Sequence, residues 1–235
     1  AFAFTQKVNL SLSVVNPSTS ASAINVIFEV IASGQSEQAA EVAANVVSLA
    51  ESLSTDSDVL QVAGRAAALA IESGYSAEAA KAAGLAAATA AIQGKSEHAI
   101  VSAGKHAADA LTGGASRDEA ILVGSTAANK IDIITDDISK NLPLGTSSFL
   151  IDLAKTAAAE AISDGKSNAS AIAATQAIIS ASNLTSVKTI IKYAGKAAAL
   201  AISNGYSAEA AAIAATAAVE AAKAGASEVE ILMTS

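Results

Sequence analysis

The first fifteen residues alternate. Phe2, Phe4, Val8, Leu10, Leu12 and Val14 interleave with Ala3, Thr5, Lys7, Asn9, Ser11 and Ser13, and Gln6 is the single break. A period of two predicts a half-buried strand, stopped by Asn16-Pro17-Ser18. A lone strand carries unpaired backbone groups that need an edge. The reading leaves two outcomes: pairing with the same segment of another chain, or an extended tail laid across the rest of the molecule. From residue 18 onward the pattern changes to long alanine-rich blocks punctuated by Gly-x-Ser triplets. These fall at Gly34-Gln35-Ser36, Gly74-Tyr75-Ser76, Gly94-Lys95-Ser96 and Gly114-Ala115-Ser116, with a degenerate copy, Ser54-Thr55-Asp56, on the same 20-residue comb.

The triplet has a physical meaning. Glycine just past a helix end takes the left-handed conformation without a Cβ clash, and Ser or Asp two residues later is a preferred N-cap. Each triplet therefore ends one helix and starts the next. Ser116 with Glu119, and Ser227 with Glu230, have the capping-box spacing. Helices of about 17 residues, roughly 25 Å long, are expected on the 20-residue period. Tight connections make neighbours antiparallel. The predicted fold is all-α, a helical bundle or α-solenoid with a short N-terminal β-like strand.

A second comb, Gly64, Gly84, Gly104 and Gly124, falls at helix midpoints. Glycine there costs about 1 kcal/mol against alanine. Four at a fixed period predict one layer of helix crossings closer than the usual separation of roughly 8–10 Å. Phosphate cradling is disfavoured, because these glycines lie inside helices and follow no strand. A longer period overlies both combs. Val62–Ile71 returns as Tyr193–Ile202, and Gly74-Tyr75-Ser76 as Gly205-Tyr206-Ser207, a shift of 131 residues (Gly64 to Gly195). Asp136-Asp137 through Thr146, with Asn141-Leu142-Pro143-Leu144-Gly145, breaks the pattern. The expected organisation is an extended segment, 1–17, a first helical module, 18–145, and a second, truncated module, 146–235, because Ser235 corresponds to Gly104.

Composition narrows the function. Hydrophobic residues make up 52% of the chain and aromatics only 3%, so an alanine core must rely on many close contacts. A net charge of −8 disfavours nucleic acid, which needs a basic patch. No uncharged apolar stretch reaches the ~18 residues of a membrane span. The best candidate, Ser207 to Ala224, carries Glu209, Glu220 and Lys223. The opening residues have no charged stretch ahead of an apolar run and do not read as a signal peptide. With no cysteine there is neither a disulfide frame nor a thiolate metal site.

Candidate chemistry is sparse. His98 and His106, eight apart on one predicted helix, could share a face, but with Glu97 and Asp109 they read as surface residues short of a metal-ligand set. Asp132, Asp136 and Asp137 lack the loop spacing of a calcium site. No serine elbow or Ser/His/Asp arrangement is present. Lys81, Lys105 and Lys196 are scattered and form no basic amphipathic face. Asn9, Asn168 and Asn183 head triplets of the glycosylation pattern. No catalytic, cofactor-binding or metal-ligating residue is assigned, and no enzyme activity is expected.

In its Ala, Ser and Gly dominance, its near-absence of Trp, Met and Cys, and its tandem modules, the whole chain resembles the helical, alanine-rich silk proteins of arthropods. It is similar to the folded helical repeat modules of some silks, since long poly-Ala blocks, Gly-Gly-x runs and Gly-Pro-Gly runs are missing. The resemblance implies a secreted, extracellular structural protein that assembles with itself, through the N-terminal strand or through helix faces. The alternative is a helical-bundle protein whose small-residue walls enclose a small hydrophobic ligand.

Overall fold

Caps set the architecture. In a computed structural model of the chain, which describes residues 20–234, the glycines of the triplet comb are all left-handed, with φ from 68° at Gly94 to 98° at Gly114. At each, the amide one residue further on reaches back five residues, as in Gln35 N–H to the Val30 carbonyl and Tyr75 N–H to the Ala70 carbonyl, closing the last turn. Two residues after the glycine, Ser36, Ser76, Ser96, Ser167 and Ser207 each accept the amide of the third following residue on the side-chain oxygen.

The described residues form eleven helices: α1 (Ala21–Ala32), α2 (Glu37–Ala50), α3 (Ser57–Glu72), α4 (Ala77–Ile92), α5 (Glu97–Thr112), α6 (Arg117–Asn141), α7 (Ser148–Ser163), α8 (Asn168–Ser182), α9 (Lys188–Ser203), α10 (Ala208–Lys223) and α11 (Glu228–Thr234). Six of them are 16 residues long, one short of the expected length. The degenerate triplet works as read. Asp56 caps α3 through the Asp58 amide, and the Ser54 hydroxyl braces the connection by accepting the Asp56 amide. Its counterpart in the second module has Val187 at the cap, with no side-chain cap bond, and keeps only the brace, from the Val187 amide to Thr185. The expected N-terminal strand, residues 1–17, lies outside the described residues. Among the described residues there is no strand.

One element departs from the comb. The next glycine would fall at position 134, but isoleucine stands there. With nothing to end it, α6 runs on through Asp136 and Asp137 for 25 residues and stops only ahead of Pro143. The expected pattern break at Asp136-Asp137 is therefore helical, and the irregular connection begins at Leu142.

The chain divides into two compact units within α6, one up to Lys130 and one from Ile131. In the first, the helices from α1 to α5 pack consecutively on one another, and α1 meets α3, α2 meets α4 and α3 meets α5. In the second, α7 to α11 do the same. Among the described residues no helix of either run meets its third neighbour, so each run is an open two-layer stack and does not close as a four-helix bundle would. Alanine forms most of the core. On α4, Ala79, Ala80, Ala82, Ala83, Ala86, Ala87, Ala88 and Ala90 are all buried, because a helix between neighbours on several sides needs small side chains all round.

The mid-helix glycines are the closest crossings. A Cβ built on Gly84 would sit 2.6 Å from the Ala63 carbonyl oxygen; on Gly104, 3.3 Å from that of Ala83; on Gly124, against that of Ala103. Each glycine thus faces the carbonyl that precedes the glycine twenty residues earlier. At these three the layer is one helix backbone laid on the next, with glycine Cα–H groups aimed at carbonyl oxygens; the fourth, Gly64, faces the Val26 and Val47 side chains instead.

Candidate binding groove

The residues singled out for chemistry are dispersed. His98 and His106 both lie on α5, and the His106 Nδ1 is 3.0 Å from the Ser102 carbonyl and 3.1 Å from its hydroxyl, four residues back on the same helix. Among the described residues no three His, Asp or Glu side chains gather closely enough to hold a metal ion. Asp132, Asp136 and Asp137 follow one another along α6, and Asp137 accepts a hydrogen bond from Asn141 at 3.1 Å. Asn168 opens α8 and Asn183 is its C-cap; Asn9 lies outside the described residues. Lys81 pairs with Glu78, Lys105 with Asp109 and Lys196 with Glu228. Among the described residues no helix is long and apolar enough to cross a membrane.

Four ionic contacts serve the stack. Glu29–Arg65, Glu78–Arg117, Glu160–Lys192 and Lys196–Glu228 each tie a helix to its second neighbour. The Ser116 hydroxyl and amide hold the Glu119 carboxyl below the usual carboxylate range, and the Ser227 amide and hydroxyl do so for Glu230. Glu72 caps a different helix: the Ser36 hydroxyl and amide donate to it at 2.6 and 2.8 Å and lower its pKa. The Tyr75 hydroxyl donates to Asp109, and that bond pushes the phenol up to about 12. Partial burial raises the Asp109 carboxyl, but the bonds from Tyr75 and Lys105 outweigh it and leave the group below its ordinary value.

The feature able to hold a ligand is a groove of about 770 Å³ in the second unit, between α8 and α10 and bounded by the end of α6. Its floor is alanine: Ala177, Ala181, Ala211 and Ala215 are buried to 5% exposure or less. Ile172 and Leu184 stand on its walls, each about half exposed (48% and 47%), with Pro143 at one edge. Gln176, Ser180 and Thr216 place polar groups along it, and Asp137 is its one charged lining residue.

The internal repeat explains the groove. At the same places in the first module, 131 residues earlier, stand Val42, Val46, Lys81 and Leu85; the groove has Ala173, Ala177, Ala212 and Thr216. In the first unit Val42 and Val46 are buried, Leu85 packs against the core, and the Val46 side chain reaches Gly84. Smaller side chains on one pair of helices leave that volume empty in the second unit. The sequence held this signal in the comparison of its own modules, but the facing of α8 and α10 had to be known to use it.

Comparison with protein-family models, with curated proteins and with solved structures finds no match to this chain.

Proposed function

We propose that the chain is a structural, self-assembling repeat protein of an extracellular material, silk-like in style, and that it performs no catalysis. The observation supporting this reading is that a small set of devices is reused. The left-handed glycine and the serine cap recur in both units, the glycine–carbonyl crossing recurs at Gly84, Gly104 and Gly124 of the first, and within α1–α5 and α7–α11 the helices pack on first and second neighbours. Such a stack extends by addition of like units, with stability roughly additive over neighbours. The acidic excess keeps copies apart near neutral pH. The partner is the chain itself, through the N-terminal segment or helix faces. Light scattering during size-exclusion chromatography, from dilute to concentrated protein and with falling pH, tests the proposal. Growth into oligomers or filaments as carboxylates are neutralised is expected; a monomer under every condition overturns it.

The groove favours a second reading, a carrier of a small hydrophobic ligand. Its volume falls within the roughly 300–1,000 Å³ of small-molecule sites. Native mass spectrometry of the purified protein would show such a ligand as a mass increment lost on denaturation.

A further inference from the structure

We infer that the groove between α8 and α10 is the receptor for the chain's own N-terminal segment, with Val8, Leu10, Leu12 and Val14 on its alanine floor. The inference rests on the reading of residues 1–15 as an extended assembly segment and adds where that segment binds. Four observations carry it.

The first is fit. An extended chain advances about 3.3 Å per residue, so the seven residues from Val8 to Val14 span roughly 23 Å. A 15-residue helix such as α8 is about 22 Å long. The period-two pattern places all four apolar side chains of that stretch on one face.

The second is backbone chemistry. A strand carries amides and carbonyls that need partners. Gln176, Ser180 and Thr216 line the groove with donors and acceptors along its length, and the alanines between them let a backbone come close. Thr216 already donates to the Ala212 carbonyl at 3.0 Å, but an alkyl ligand would desolvate the Gln176 amide and the Ser180 hydroxyl without supplying them a partner.

The third is charge. Asp137 is the one charged residue lining the groove, and Lys7 is the one charged side chain in residues 1–19. Lys7 directly precedes the apolar stretch, so docking Val8–Val14 sets it at one end of the groove.

The fourth is specificity within the chain. The first module fills the same interval with Val42, Val46 and Leu85 and sets Lys81 on its edge. The opening belongs to one module, which makes it a site for a single segment and separates it from a general looseness of alanine packing.

The experiment places photoreactive benzoylphenylalanine at Leu10 in the full chain, irradiates it over a range of concentrations, and maps the crosslinked peptides by mass spectrometry. Crosslinks to Ile172–Leu184 and to Ala208–Val219 are expected. Ala212→Lys restores the first module's residue at an exposed position and should cut their yield severalfold with an unchanged helical spectrum. Asp137→Lys should cut it about threefold, the scale of an exposed ion pair, and the double variant Lys7→Asp with Asp137→Lys should restore it. Crosslinks at the mass of one chain place the segment in its own groove: docking then stands, and assembly through this segment falls. Crosslinks at the mass of two chains support both. Crosslinks between two N-terminal segments, to other helices, or unaffected by either groove variant overturn the inference while leaving self-assembly intact. A co-purifying apolar molecule that blocks crosslinking at Leu10 until it is removed confirms the shared groove. One that leaves the segment uncrosslinked even after removal overturns the inference.

Discussion

Alanine at Gly84 gives the sharpest test of the crossing layer, because two opposed effects have known sizes. Replacing a mid-helix glycine by alanine gains up to about 1 kcal/mol in helix propensity. Against this, the new Cβ would lie 2.6 Å from the Ala63 carbonyl oxygen and in contact with Val46 Cγ1. Ala63 is backbone inside α3, and Val46 is fully buried, so neither can swing away. Relieving the clash means separating α3 from α4, at a cost of about 1–3 kcal/mol for overpacking of this kind. The net expectation for Gly84→Ala is a loss of about 1–2 kcal/mol. Gly104→Ala is the control. Its Cβ would meet the Ala83 carbonyl at 3.3 Å, a gap that a shift of a few tenths of an ångström absorbs. Propensity then nearly cancels the contact, and the change should fall within about 0.5 kcal/mol of zero. Urea unfolding followed by far-UV circular dichroism gives the midpoint shifts, and hydrogen exchange of α4 and α5 amides assigns them to the first unit. If Gly84→Ala is as stable as the parent, or if Gly104→Ala costs more, the crossings are not what the glycines are for.

Other outcomes follow from the same structure. Gly74→Ala meets no neighbouring atom within 4 Å but forces alanine to a φ of 87°; about 1–2 kcal/mol of backbone strain should appear as a lowered urea midpoint, and an unchanged midpoint would contradict the left-handed cap. Tyr75→Phe removes the bond to Asp109 and should cost about 0.5–1.5 kcal/mol; it should also abolish the phenol titration near pH 12 in the 295-nm absorbance, and persistence of that phase would assign it to another tyrosine. The capping carboxylates Glu72, Glu119 and Glu230 have folded pKa values below their unfolded ones, so their stabilisation is complete above the unfolded value of about 4.3 and is lost as pH falls through the folded values. The triple Gln variant should therefore flatten the acid limb of a melting-temperature profile, and an unaltered limb would remove these caps from the account.

Much of this architecture could be read from spacing alone, for a physical reason. A left-handed glycine and a serine two residues later encode a helix end and a helix start locally, so Gly34-Gln35-Ser36 and even Ser54-Thr55-Asp56 need no tertiary information. The glycine layer was legible because Gly64, Gly84, Gly104 and Gly124 violate helix propensity at a fixed interval, which only close packing repays. The continuation of α6 through Asp136 and Asp137 was misread, because two adjacent acids before a proline resemble a loop. The deciding signal was the absence of a glycine at position 134, where isoleucine let the helix propagate. The groove was illegible for a different reason. Ala173, Ala177 and Thr216 are ordinary in an alanine-rich chain, and their meaning depends on α8 facing α10.

That dependence shows how a duplicated chain can stand as its own reference. Two modules on one frame share most caps and helix lengths, so differences at matched positions separate what the frame needs from what one module does. Gly64 and Gly195 are matched, yet a Cβ built on Gly195 would meet the Ile178 side chain at 3.1 Å, whereas one built on Gly64 would meet Val26 and Val47; the close approach persists while its filling changes. The exchange of Val42, Val46 and Leu85 for Ala173, Ala177 and Thr216 is of another kind. It removes buried apolar volume, which costs about 1 kcal/mol or more at each valine position by the scale of large-to-small core changes, and Ala215 and Val219 on α10, in place of Gly84 and Ala88, refill only part of the space. Ala173→Val, which restores the residue matched by Val42, should accordingly stabilise the second unit if the groove stands empty, as a cavity-filling change. If the groove is occupied by residues 8–14, the same substitution should expel them and yield no gain. The sign of that one midpoint shift, measured with and without residues 1–17, separates a groove that is a packing defect from a groove kept open for a partner.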